Sequence, residues 1–266
     1  MNNVLLAFLL SLLAGLSTGI GSLITLFTKK ANTNFLAVSL GFSAGVMVYV
    51  ALVGLLHEAQ GLLAFTMGNK IGEITAVLSF FAGMALTGII DKILPGDKNP
   101  HEIKHFEALG VPNLNGKKLM RIGTVTAVAI TIHNFPEGMA TFVSVLYDPA
   151  IALPIVLAIA LHNIPEGISV AVPIYYATGN KKKALLYSFA SGLAEPLGAV
   201  IGYFILMPFL NDIVFGVLFA VVAGIMVFIS FDKLLPAARE YGEHHLSIYG
   251  TVVGIIVMAI SLILLQ

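Results

Sequence analysis

One hexapeptide occurs twice in the chain, as His133-Asn-Phe-Pro-Glu-Gly138 and as His162-Asn-Ile-Pro-Glu-Gly167. On a helix His133 and Glu137, four residues apart, share a face, and Asn134 and Glu137, three apart, are neighbours on a flank rotated by one residue. Glu137 therefore reaches both an ion on the histidine side and an ion on the asparagine side. The same holds for His162, Asn163 and Glu166. Imidazole with carboxylate suits zinc, iron, cobalt or manganese, whereas calcium and magnesium prefer all-oxygen shells. The spacing thus predicts two neighbouring divalent ions. Pro136 and Pro165 each remove a helix hydrogen bond and release the carbonyl four residues earlier, at Ile132 and Leu161, beside the histidines. An unwound turn is expected there. Glu195 followed by Pro196 repeats the arrangement further along the chain.

The elements that position these residues are membrane helices. Of 266 residues, 58% are hydrophobic and 11% charged, against about 25% charged in a soluble domain. Mean hydropathy is +0.96. A formal net charge of zero gives no field to attract nucleic acid. The absence of cysteine excludes disulfides, thiolate metal sites and cysteine nucleophiles. The chain is apolar from Val4 onward but lacks the basic start of a secretory signal, so its first stretch reads as a transmembrane helix.

Eight stretches approach the roughly 20 apolar residues a spanning helix needs. They are about 3–27, 35–57, 72–91, 121–147, 151–176, 183–207, 213–235 and 246–265, with a loop at about 92–120. The fold class expected is an all-α membrane protein of eight transmembrane helices, forming one transporter domain over 1–266. Loops after odd-numbered spans hold Lys29, Lys30, Lys92, Lys98, Lys104, Lys117, Lys118, Arg121, Lys181, Lys182, Lys183, Lys233 and Arg239, leaving only Lys70 for the other side. The positive-inside rule then makes those loops cytoplasmic and both termini extracytoplasmic.

The hexapeptides lie in spans four and five, which run in opposite directions. Ala44-Gly-Val-Met-Val-Tyr-Val in span two likewise matches Ala223-Gly-Ile-Met-Val-Phe-Ile in span seven. Both pairs fit a 3+2+3 inverted repeat with its axis between spans four and five, an arrangement that puts substrate near the midplane.

Five ionisable side chains, His133, Glu137, His162, Glu166 and Glu195, fall near mid-span, where each costs on the order of 2.5–3.5 kcal/mol on insertion scales. By helix rise Glu137 and His162 lie ~15 Å from one boundary and Glu195 ~18 Å from the other, near the centre of a ~30 Å core. No Lys or Arg stands in those turns, so the three carboxylates need a cation from elsewhere. Elsewhere, His57 and Glu58 at the outer end of span two, His101 and His105 in the long loop, and His244 and His245 read chiefly as interfacial or solvated residues. Asp91-Lys92 and Asp232-Lys233 read as solvated helix ends, and Lys181–Lys183 as a topology anchor near anionic lipid.

The duplicated hexapeptide and the run Ser191-Gly-Leu-Ala-Glu-Pro-Leu-Gly198 resemble the ZIP (Zrt/Irt-like) family of metal transporters, and the resemblance extends over all eight spans. It implies a binuclear site and an elevator-like movement of spans one, four, five and six against the other four. One ion would be held by His133, Glu137, His162 and Glu166, and the second by Asn134, Glu137, Asn163, Glu166 and Glu195. Met47 of span two aligns with a methionine that contributes to the first site.

The reading is therefore import of Zn²⁺, with Fe²⁺, Mn²⁺, Co²⁺ or Cd²⁺ as further substrates, across the cytoplasmic membrane. The ions are cargo, and no prosthetic group and no enzymatic activity are expected. Expected partners are the ions and the lipid bilayer, with a homodimer left open and nucleic acid excluded. The rivals are an intramembrane metal-dependent hydrolase and a proton- or sodium-coupled carrier of another solute. No His-Glu-x-x-His occurs, and a matched duplicated motif suits transport better than hydrolysis. Histidine ligation further predicts weaker metal binding as pH falls through about 6.

Overall fold

A computed structural model describes residues 3–27, 33–93, 116–147, 149–209, 211–241 and 244–265. Among them there is no strand, and all but a few turn residues are helical. Seven helical stretches are long and apolar enough to cross a membrane. Gly116–Tyr147, the helix with the first hexapeptide, is not among those seven but has 32 residues, or ~48 Å, more than the ~30 Å hydrocarbon core.

Span one is Asn3–Phe27, as expected, and spans three, four, five and eight (Asn69–Ile93, Gly116–Tyr147, Pro149–Thr178 and His244–Leu265) differ from expectation by a few residues at their ends. Spans two and seven differ more. Span two runs from Thr33–Tyr49 through the π-helical turn Val50–Leu55 into Leu56–Met67, well past the expected end at His57. Span seven runs from Asp212–Ile229 through π-helical Ser230–Leu234 into Leu235–Tyr241. Asp232-Lys233 is therefore internal to a helix, and its two side chains form a 2.8 Å ion pair with Lys233 largely covered. The helix end expected there is corrected, since the helix continues to Tyr241, while the Asp232 side chain stays exposed as expected.

Span six is divided into Lys181–Gly192 and Ala194–Leu206, with Leu193 between them. Pro196 has no N–H to offer the Gly192 carbonyl, which instead lies against the backbone of Gly15 in span one. The unwinding expected at Pro136 and Pro165 does not occur, since both lie within continuous helices. Turns are set by local chemistry. Gly68 at φ +84° and Gly179 at φ +62° end spans two and five. The Asn180 and Asn211 side chains accept from the Lys183 and Val214 backbone N–H groups at 3.1 and 3.0 Å, capping spans six and seven.

Glycine decides which helices pack most closely, because without a Cβ the backbones can touch. Spans one, four, five and six meet at Gly15 on Gly192, Gly21 on Ile164, Gly138 on Glu195 and Gly198 on Phe135. Spans two, three, seven and eight meet at Gly41 on Ser247, Gly45 on Thr251, Gly83 on Val221 and Gly254 on Phe42. No described glycine has its nearest neighbour in the other set. The sets face each other chiefly through span five on span two and span four on span seven, where the rings of Tyr147 and Phe215 lie 4.9 Å apart.

Candidate metal centre

The polar residues of the first set converge where spans four, five and six cross. Asn134, Glu137, His162, Asn163 and Glu195 are 0% exposed and Glu166 is 1% exposed. That degree of burial is what separates these carboxylates from surface charges, for water does not solvate them. His162 Nε2 lies 3.2 and 3.4 Å from the two carboxylate oxygens of Glu137, tying the two hexapeptides together. Asn163 Nδ2 donates to Glu195 Oε1 and, at 3.0 Å, to the Ala14 carbonyl, joining spans five, six and one. Asn134 Nδ2 donates to the Ser191 carbonyl at 3.4 Å.

Both asparagines spend their N–H groups on protein acceptors. Their carbonyl oxygens are left over, and Asn134 Oδ1, Asn163 Oδ1 and Glu195 Oε2 are buried without a hydrogen-bond partner. An orphaned buried oxygen is costly, and three around one carboxylate cluster describe a cation's requirement seen from the protein side. Among the described residues no three His, Asp or Glu side chains converge closely enough to hold an ion by themselves. The asparagine oxygens add to that donor set, and the side chain of His133 lies outside the described residues.

Span two meets the site at His162. Ser43 Oγ donates to the His162 carbonyl at 3.2 Å. Met47, one turn further and fully buried, lies on the same face of span two. The resemblance pointed to Met47, but nothing in the sequence pointed to Ser43 or to the Ala14 and Ser191 carbonyls that orient the asparagines. A backbone acceptor leaves no signal in residue type, and a lone serine in an apolar helix carries almost none.

The other histidines stay apart from this cluster. His57 is exposed and Glu58 partly buried. His245 is exposed and stacks on Tyr249. His101 and His105, and the side chain of His244, lie outside the described residues.

The model of the family described as ZIP Zinc transporter matches residues 97–262. This chain belongs to the ZIP family. It is 61% identical to the protein named Zinc transporter ZupT of Streptococcus mutans, over 97% of each chain. It is 58% identical to that of Clostridium perfringens, over 99% of this chain and 97% of the relative, and 57% identical to that of Oceanobacillus iheyensis over the whole of both. ZIP membership makes the ion a cargo and not a cofactor. The protein is a multi-pass membrane transporter and not an enzyme.

Proposed function

We propose that the protein imports Zn²⁺ across the cytoplasmic membrane, with Fe²⁺, Mn²⁺, Co²⁺ and Cd²⁺ as further substrates, through a binuclear midplane site. His133, Glu137, His162 and Glu166 hold one ion. Asn134, Glu137, Asn163, Glu166 and Glu195 hold the other, and Met47 reaches the first from span two. The observation that carries the reading is the set of three buried carboxylates, surrounded by orphaned oxygens and with no Lys or Arg in the same turns. Such a cluster is stable only with a cation or with protons. Imidazole beside carboxylate selects the cation, and the relatives named as zinc transporters favour zinc.

The proposed movement is elevator-like, with spans one, four, five and six carrying the ions past spans two, three, seven and eight. The glycine contacts support that division, since every described glycine that closes on another span does so within its own set. A 3+2+3 inverted repeat, with both termini outside, is part of the same proposal. It is supported by the matched heptapeptides of spans two and seven, at whose ends the two π-helical turns begin. The chain works as one transporter domain, alone or as a homodimer.

Zinc uptake into proteoliposomes, comparing wild type with Glu137→Ala/Glu166→Ala, tests the proposal. Uptake by the wild type and none by the variant is expected. Metal bound by the wild type without flux would refute transport through this site.

A further inference from the structure

A serine or threonine hydroxyl inside an apolar helix ordinarily bonds the carbonyl three or four residues back. This chain follows that habit at Ser11, Ser17, Ser22, Thr131 and Ser169, among others. Thr18 and Thr141 do not. Both are 0% exposed, and the hydroxyl of neither has a hydrogen-bond partner.

Their places are related. Thr141 follows Glu137 by four residues and Asn134 by seven, so it lies on the face that carries both, ~6 Å further along span four. Gly138, three residues before it, touches the Glu195 carbonyl. Thr18 follows Ala14, whose carbonyl receives the Asn163 amide, by four residues. Its Cβ and Oγ1 stand 3.0 and 3.1 Å from where a Gly192 side chain would begin. Gly192 precedes Glu195 by three residues. Spans four and six run in the same direction. Thr141 therefore lies past the carboxylates, toward Tyr147, and Thr18 lies short of them, toward Lys181. The two unsatisfied hydroxyls bracket the cluster along the direction of spans four and six.

We infer that Thr141 and Thr18 are oxygen ligands at the two approaches to the carboxylate site, each replacing hydration water of the divalent cation as it arrives or departs. The inference rests on the transport reading above. A hydroxyl offers lone pairs without net charge. It holds a cation weakly, which suits a step where the ion must also leave. Space filling alone would be served as well by valine, which has nearly the same shape and no orphaned oxygen.

The test is zinc uptake kinetics in proteoliposomes of the full chain for Thr141→Val, Thr18→Val, the matching serine variants and Glu137→Gln, with Tm measured in detergent. Each valine variant is expected to raise KM for zinc about three- to tenfold, the worth of one neutral hydrogen-bonding group, with Tm unchanged or higher. Each serine variant should restore the wild-type KM. Valine variants with wild-type kinetics, beside a Glu137→Gln that has lost flux, would overturn the hydroxyl role and leave the carboxylate site standing. So would serine variants as impaired as the valine ones, since shape alone would then be at work. If Glu137→Gln itself transports like wild type, the transport site falls and this inference falls with it.

Discussion

Spans one, four, five and six and spans two, three, seven and eight are locked by the same glycine device, yet their interiors differ. Among the described residues, the buried polar side chains of the second set are Ser43, Ser230 and Ser247. The first set holds fifteen, including every buried carboxylate. In hydrocarbon a polar group left unpaired is costly, so polarity gathers on helices that keep their partners. With every buried carboxylate of the described residues in the first set, the proposed movement would leave the hydrogen bonds among those carboxylates and asparagines intact. An apolar opposing face gives that set little to hold on to. Ser43 is an exception, since its hydroxyl reaches across to the first set.

Fastening the two sets together should have the largest effect. The chain has no cysteine, so introduced thiols are the only ones present. Tyr147 and Phe215 touch across the boundary, whereas Phe142 and Tyr203, 5.8 Å apart, touch within the first set. A short bifunctional thiol reagent on Tyr147→Cys/Phe215→Cys should abolish zinc uptake, and reduction of a disulfide formed between the same pair should restore it. The reagent on Phe142→Cys/Tyr203→Cys should leave uptake intact. Full uptake by the crosslinked boundary pair would rule out relative movement at that contact.

The second prediction concerns cohesion within the first set. A Cβ on Gly138 would run into the backbone of Glu195, while a Cβ on Gly61 meets nothing within 4 Å. Forcing atoms into a full contact costs about 1–3 kcal/mol or more, because backbone must move. Gly138→Ala should lower Tm in detergent and reduce zinc uptake at least tenfold, about 1.4 kcal/mol. Gly61→Ala should leave both near wild type. An unchanged Tm for Gly138→Ala would mean that the approach of spans four and six is looser than described.

The convergence of Glu137, His162, Asn163 and Glu195 was legible because it is written in spacing. His162, Asn163 and Glu166 lie on one helix, and the identical spacing in span four fixes the partner face. The lengths of spans two and seven were not legible. An apolar run ends at its first charged residues, but a helix does not have to, and both continue past His57 and Asp232. Proline misled in a related way. Pro136 and Pro165 are carried inside continuous helices, as membrane helices allow when neighbours supply contacts, whereas span six breaks at Leu193, where Gly192 and Pro196 act together. Ser43 could not be found at all, since its partner is a carbonyl 119 residues away.

Ser43→Ala tests that exception. The hydroxyl bonds the backbone carbonyl of His162, a proposed ligand, but is not itself placed as a ligand. Its loss should weaken the described arrangement of the two sets by about 0.5–1.5 kcal/mol, a neutral hydrogen bond's net worth. Maximal zinc uptake rate should change by about two- to tenfold, with zinc affinity in equilibrium binding unchanged and Ser43→Thr close to wild type. A change in affinity with no change in rate would make Ser43 part of the binding site instead of a contact between bodies.

The smallest effect separates two methionines. Met47 and Met226 occupy the same place in the matched heptapeptides, and both are 0% exposed. They differ in setting. Met47 lies one turn from Ser43, on the face of span two that meets His162, whereas the turn beginning at Met226 is closed by Ser230 bonding back to its carbonyl at 2.8 Å. Leucine conserves the volume of either at a stability cost below about 1.5 kcal/mol, so what Met→Leu removes is the thioether. Sulfur favours softer ions. Met47→Leu should therefore weaken cadmium uptake more than zinc uptake, by a difference on the order of threefold or ~0.7 kcal/mol. Met226→Leu should leave the ratio of the two unchanged. Equal ratios for both variants would return Met47 to a packing role, and the ligands of the first ion would then all come from the set that carries the carboxylates.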